Sequence, residues 1–172
     1  APGTKQLYLW GVPLGGQSRW HRWKDSLYNS ISKMIKAYDL HPNDIVILTS
    51  KIYVARELNE LWVKIEKTHC MFETYEELAK CTATELDELK QMNEREQSSL
   101  VYEYKTHIES IRRSKKNHFY ANSGLIKLST IHSYKGLESK TVFYIMDEQD
   151  SAEVVYTSIT RSNENLVVLD VG

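Results

Sequence analysis

Short apolar runs of strand length alternate along this chain with longer stretches whose apolar residues recur at helical spacing. That alternation leaves an α/β domain with a mostly parallel sheet as the economical architecture. The strand-like runs cover residues 6–10, 45–48, 69–72, 126–130, 141–146 and 166–169. The run at 141–146 carries almost no polar alternation, which predicts burial on both faces. A Gly/Pro loop through Gly16 leads into a helix over about residues 18–38, with Trp23, Leu27, Ile31, Met34 and Ile35 on one face. Pro42 and its neighbours Asn43 and Asp44 mark a turn. Ser50 is suited to cap the next helix, whose apolar stripe is Val54, Leu58, Leu61, Trp62 and Ile65, ending near Glu66.

The middle of the chain is more polar. Thr74 with Glu77 has the spacing of a capping box, and Thr82 with Glu85 repeats it at the head of a helical stretch running towards Lys116. Apolar positions in that stretch are sparse (Leu86, Leu89, Met92, Leu100, Tyr104, Ile108, Ile111), so it reads as one long helix or a pair. Residues 122–124 suit a turn, and a short helix is expected over about residues 152–160. No repeat, low-complexity tract or Pro/Gly-rich linker divides the sequence, so residues 1–172 are expected to form a single domain with 73–120 as a helical insertion.

Composition narrows the partners. A chain of 172 residues with 41% hydrophobic and 26% charged residues can bury a proper core, which sets aside disordered, collagenous and membrane classes. The net charge of −1 provides no global positive field, so a nucleic acid would have to be held by a local patch or by a second domain. Cys70 and Cys81 are too few for a disulfide framework and lack metal-ligand spacing, and His21, His41, His69 and His107 add none. These features suit a reduced, cytoplasmic setting without a metal site. No run is long and apolar enough to span a bilayer, and no signal peptide precedes the first strand. A start at Ala1 is what a piece taken from a longer protein would show.

Two C-terminal segments carry chemistry. Residues 128–138 read L-S-T-I-H-S-Y-K-G-L-E, and residues 154–161 read V-V-Y-T-S-I-T-R. Thr130 and His132 stand at a strand end, where hydroxyl and imidazole can bind a phosphate oxygen, and Gly136 permits close backbone approach. Glu138 offers an acceptor for a sugar hydroxyl, and Arg161 places a cation at the negative end of a short helix. Taken singly, K-G-L-E is a turn and T-R a helix-end arginine.

Taken together, in residues, order and spacing, the two segments resemble the C-terminal signatures of UvrD/Rep-like superfamily 1 DNA helicases, T-x-H-x-x-K-G-L-E and Y-V-x-x-T-R. The resemblance spans roughly residues 45–170. It implies a three-layer RecA-like fold and a motor that uses ATP and Mg2+ to move along single-stranded DNA. It places Thr130 and His132 on the DNA side, and Glu138 on the ribose of ATP with Gly136 as a backbone position. Arg161 becomes an arginine finger reaching a γ-phosphate held by another domain, a role worth roughly 10³ to 10⁵ in rate. Tyr156 reads as a packing residue.

The chain departs from that family in several places. Ser139 stands where an aromatic is usual, and residues 151–154 replace an acidic-Arg-Arg stretch. No G-x-x-x-x-G-K-[ST] is present; residues 15–18, G-G-Q-S, lack the lysine and the spacing. The Walker B and Q-x-Y-R-S equivalents are also missing. The expected assignment is a second RecA-like domain whose ATP and Mg2+ are held mainly by an N-terminal P-loop domain outside this chain, the isolated chain being a monomer without ATPase activity. The alternative is a non-catalytic helicase-like module that binds nucleic acid or a protein. Segment 68–125 is short for the family, whose larger members insert a subdomain there. Within it, Arg112, Arg113, Lys115 and Lys116, with His118 and Tyr120, read first as a solvated helix end, with a DNA-backbone contact as the other reading.

Overall fold

Six strands run parallel in one sheet of order β1-β6-β5-β2-β4-β3: β1 (Gln6–Gly11), β2 (Ile45–Thr49), β3 (Thr68–Cys70), β4 (Ile126–Thr130), β5 (Ser139–Met146) and β6 (Ser162–Asp170). The structure is a computed structural model that describes residues 6–11, 19–64, 68–119 and 124–170, with backbone alone for 6–11, 19–23 and 119. Residues 15–18, Ile65, Glu66, Tyr120, Asn122 and the side chain of Trp23, all singled out in the sequence, lie outside that description. Seven helices complete the described chain: α1 (Arg19–Ala37), α2 (Ile52–Val63), α3 (Tyr75–Thr82), α4 (Leu86–Gln91), α5 (Glu94–Glu103), α6 (Lys105–Phe119) and α7 (Ala152–Ile159).

Alternate residues of the central strands face two different cores, the period-2 consequence of the pleat. On one face Ile45, Ile47, Phe143, Ile145, Val167 and Leu169 meet Leu27 and Ile31 of α1 and Val54, Leu58 and Trp62 of α2. Tyr28 meets Trp62 edge to face, with ring centroids 4.9 Å apart, a geometry worth about 0.5–1.5 kcal/mol beyond area burial. On the other face Val46, Leu48, Val142, Tyr144, Leu166 and Val168 lie under Ile131, Tyr134 and the α7 residues Val154, Val155 and Ile159. The result is three layers, helices on both faces of a parallel sheet, which is the α/β architecture expected from the alternating pattern.

Helices α3 to α6 carry a third, smaller core of Tyr75, Leu78, Ala79, Leu89 and Ile108. The long polar stretch is therefore several helices, broken where sequence periodicity gave no clear stop. Asn93 caps α5, accepting from the Glu96 amide at 2.8 Å while the Glu96 side chain accepts from the Asn93 amide, a capping box the sequence reading missed. The Thr74–Glu77 box forms as expected. Thr82 does not cap a helix start: it ends α3 and donates to the Leu78 carbonyl at 2.8 Å, and the left-handed residue Ala83 (φ 52°) turns the chain away. Ser50 is not the cap of α2 either. Lys51 holds that position, and the Ser50 hydroxyl donates instead to Asp150 at 2.5 Å, a long-range bond between the ends of β2 and the loop after β5.

Candidate functional site

In an all-parallel sheet every strand ends at the same edge, so residues that follow strands and residues that precede them are separated by a strand length. Paired residues Thr49 and Thr130 mark the carboxyl edge, while Ser139 and Ser162 mark the amino edge. With about 3.3 Å per residue, five-residue β4 puts roughly 13–16 Å between the two.

The first motif crosses that distance. After β4, residues 131–138 pass over β2 and enter β5, the strand on its far side, without an α-helix, so the connection is a short strut laid on the sheet face. Parallel connections ordinarily need a dozen or more residues and a helix. Buried anchors hold this shorter one. Ile131 and Tyr134 are each at most 2% exposed, and the Ile131 amide donates to the Thr49 carbonyl at 3.0 Å. Single-turn bonds follow from Tyr134 N–H to Ile131 C=O and from Leu137 N–H to Tyr134 C=O, both 3.1 Å. Burial pushes the Tyr134 phenol up to about 12, so it remains neutral. Gly136 sits at φ 82°, with no neighbouring atom within 4 Å of where a Cβ would be. Conformation, rather than the close approach expected from the sequence, is what requires glycine there.

At the carboxyl end of the strut, Thr130 donates to the Ser133 hydroxyl at 3.1 Å and His132 is exposed. Both line a cavity of about 250 Å³ together with Ser50, Ile52, Phe72, Ser133 and Arg112. At the amino end, Glu138 is exposed and lines a cleft of about 310 Å³ with Asn43, Lys127, Tyr134, Lys140 and Asn163. Arg161 reaches the same end by another route. Helix α7 returns the chain to the amino edge, and the Ser139 amide donates to the Arg161 carbonyl at 2.9 Å. The Arg161 guanidinium donates to Thr157 C=O at 3.2 Å, to the Thr160 hydroxyl at 3.1 Å and to Leu137 C=O at 3.5 Å. It is half-buried and folded onto the helix end. The structure thus brings Glu138 and Arg161 to one edge and Thr130 and His132 to the other. Tyr156, read as packing, is 67% exposed on α7.

Sequence reasoning missed a charge network beside the carboxyl edge. Glu73, fully buried, accepts from Arg112 through Nε at 2.6 Å and Nη2 at 2.7 Å, and also from Arg56 Nη2. Arg56 extends to Gln97 at 3.2 Å, and Gln97 satisfies the Leu89 and Met92 carbonyls at 3.3 Å. Burial alone would raise the Glu73 carboxyl, but the hydrogen bonds from Arg112 and the charges of Arg56 and Arg112 outweigh it and hold the group below its ordinary value. In the sequence the network shows only as Arg56 inside the α2 stripe and Arg112 in the basic cluster, with nothing to pair either with Glu73.

No family model and no curated protein matches the chain. Among solved structures, one that resembles it is the crystal structure of the C-terminal domain of a possible DNA helicase from Lactobacillus plantarum WCFS1. The two share 10% identity at a TM-score of 0.46, over 98% of this chain and 74% of that one.

Proposed function

We propose that this chain is the second motor domain of an ATP-dependent DNA helicase, coupling ATP hydrolysis to movement along single-stranded DNA. The observation that carries the reading is the strut at 131–138: a short segment anchored by buried Ile131 and Tyr134 runs from Thr130 and His132 at the carboxyl edge to Glu138 at the amino edge, where Arg161 also lies. A domain with a DNA contact at one edge and a nucleotide contact at the other, joined rigidly, can transmit a change at one to the other. In this reading Glu138 accepts from ribose hydroxyls, and the Arg161 guanidinium binds phosphate oxygens once it leaves Thr157 and Leu137. Among the described residues no group of three or more His, Cys, Asp or Glu could hold a metal, so in this reading the P-loop domain of the same protein supplies the Mg2+ site and the phosphate cradle. The coupling step for this chain is then exchange of the Arg161 hydrogen bonds, from its own helix end to the nucleotide held by the other domain.

Steady-state ATPase with single-stranded DNA, measured on the full-length protein, tests this. Arg161→Ala is expected to lower kcat by about 10³-fold or more with KM little changed, because the cation acts on transition-state charge. Glu138→Ala is expected to raise KM more than it lowers kcat, since a ribose contact is present in both ground and transition states. Near-normal turnover in Arg161→Ala would mean that the arginine is only a helix cap and would remove the motor reading.

A further inference from the structure

We propose that Arg112, carried by the helical segment and by neither motif, anchors a phosphodiester of single-stranded DNA in the crevice between the ends of β2 and β4. This rests on the reading of the carboxyl edge as the DNA side, and adds to it a residue and a charge source that the motifs do not contain. The crevice arises from topology. β2 leads into α2 on one face of the sheet, while its neighbour β4 leads into the strut on the opposite face, so the two connections diverge. Ligands of open α/β sheets bind where adjacent connections part in this way, outside the carboxyl ends of the strands.

The lining suits an anion. Ser50, Thr130, Ser133, His132 and Arg112 supply its polar groups and no carboxylate lines it; the Ser50 and Thr130 hydroxyls donate to Asp150 and to Ser133, so Ser133, His132 and Arg112 are the groups left to donate to an anion. Its volume of about 250 Å³ is several times the ~30 Å³ share of a water molecule, enough for a phosphate group. Charge arithmetic supplies the attraction. Arg56 and Arg112 both bind Glu73, so two cations face one carboxylate and a surplus of one positive charge remains. The side chains of Arg56 and Glu73 are 1% and 0% exposed, whereas that of Arg112 is 35% exposed, so the surplus reaches solvent only at Arg112. The buried backing of the network weakens screening from behind and directs the field into the crevice. The fork to Glu73 uses Nε and Nη2 and leaves Nη1 for a ligand. Glu109, one turn away on α6, also acts on Arg112 but is exposed and screened by water.

The structure separates Arg112 from the rest of its sequence cluster. Lys115 is turned to Glu77 and to Cys70 Sγ, while Arg113 and Lys116 are exposed. Arg113 and Lys116 thus fit the solvated helix end read first from the sequence, and of this cluster Arg112 alone lines the crevice.

Fluorescence anisotropy of a labelled thymidine oligonucleotide with this chain at low salt tests the proposal. Arg112→Gln leaves Glu73 paired with Arg56 one to one, so the interior stays charge-balanced. It is expected to weaken binding about tenfold and to reduce the slope of log Kobs against log salt by about 0.7, the value for one phosphate on a single strand. Arg113→Gln, on the same helix and outside the crevice, should change affinity less than twofold. Equal weakening by the two variants, or none by Arg112→Gln, overturns the proposal. If His132→Ala weakens binding while Arg112→Gln does not, the DNA reading stands and this inference fails; no binding by the unmodified chain fails both. Should Arg112→Gln not fold, NMR on the unmodified chain decides. Oligonucleotide should shift the Arg112 side-chain Nε–H and the amides of residues 130–133, and an unmoved Arg112 signal sinks the proposal.

Discussion

The carboxyl edge of the sheet is held by buried charge, whereas the amino edge is held by backbone. Beside Thr130 and His132 stands a carboxylate with no solvent exposure, gripped by two arginines drawn from α2 and α6. Around Glu138 and Arg161 the acceptors are neutral and mostly main-chain: Ser139 N–H donates to Arg161 C=O, and the guanidinium rests on the carbonyls of Thr157 and Leu137 and on the Thr160 hydroxyl. The contrast assigns different work to the two. A network whose centre, Glu73, cannot be removed without leaving buried cationic charge is a fixed platform, while a half-buried guanidinium on neutral acceptors can exchange partners at modest cost.

The sharpest way to break the comparison is to remove the centre of the platform. Glu73→Gln would leave two arginines without their carboxylate and is expected to destabilise the chain by about 3–5 kcal/mol, seen as a lower urea midpoint. Arg161→Ala, losing bonds to neutral acceptors, should cost only about 1 kcal/mol in the same titration; equal costs would erase the distinction.

Acid gives a second handle on the same group. Because the Glu73 carboxyl lies below its ordinary value when folded, its contribution is fully present above the unfolded carboxylate pKa and is lost as pH falls through the folded one. Urea midpoints measured from neutral pH downward should therefore decline in the acid range, and Glu73→Gln should flatten that decline. An unchanged profile in the variant would show that other carboxylates govern acid unfolding.

Smaller effects sharpen the amino edge. Gly136→Ala places a Cβ at φ 82° and is expected to cost about 1–2 kcal/mol. Amide exchange should accelerate at residues 137–139 while Arg56 and Gln97 remain protected, and uniform acceleration would mean that the strut and the platform are one cooperative unit. In the other direction, Ala83→Gly, which removes a Cβ from the left-handed end of α3, should stabilise by about 0.5–1 kcal/mol in a thermal melt, and a lower Tm would refute the strain.

Apolar runs and periodicity were legible because they repeat a local rule. Residues 45–48 and 141–146 read as buried strands, and both are strands buried throughout except at Met146, with β5 beginning two residues earlier than its apolar run. β6 likewise starts at Ser162, four residues before its apolar stretch, since backbone pairing to β5 extends it through polar positions that carry no hydrophobic signal. Cap assignments were less secure. Thr74 caps α3, but Ser50 and Thr82 have equally good side chains that were claimed by Asp150 and by the Leu78 carbonyl. A short polar side chain advertises several hydrogen bonds, and only the fold selects one.

For the site, the sequence by itself determined which residues offer the chemistry: two donors near a strand end, a carboxylate after a turn glycine, and an arginine closing a helix. It also determined that they belong to an α/β frame, because alternation of periods is written locally in the chain. Tertiary structure alone decided that Thr130 and Glu138, near neighbours in sequence, stand at opposite edges of the sheet, and that Glu138 and Arg161 share one. It also decided the fate of the basic cluster, sending Arg112 to Glu73 and Lys115 to Glu77. The reason is physical: spacing along a chain fixes which face a residue shares, but direction across a parallel sheet and the partner of a buried charge depend on segments far away in sequence.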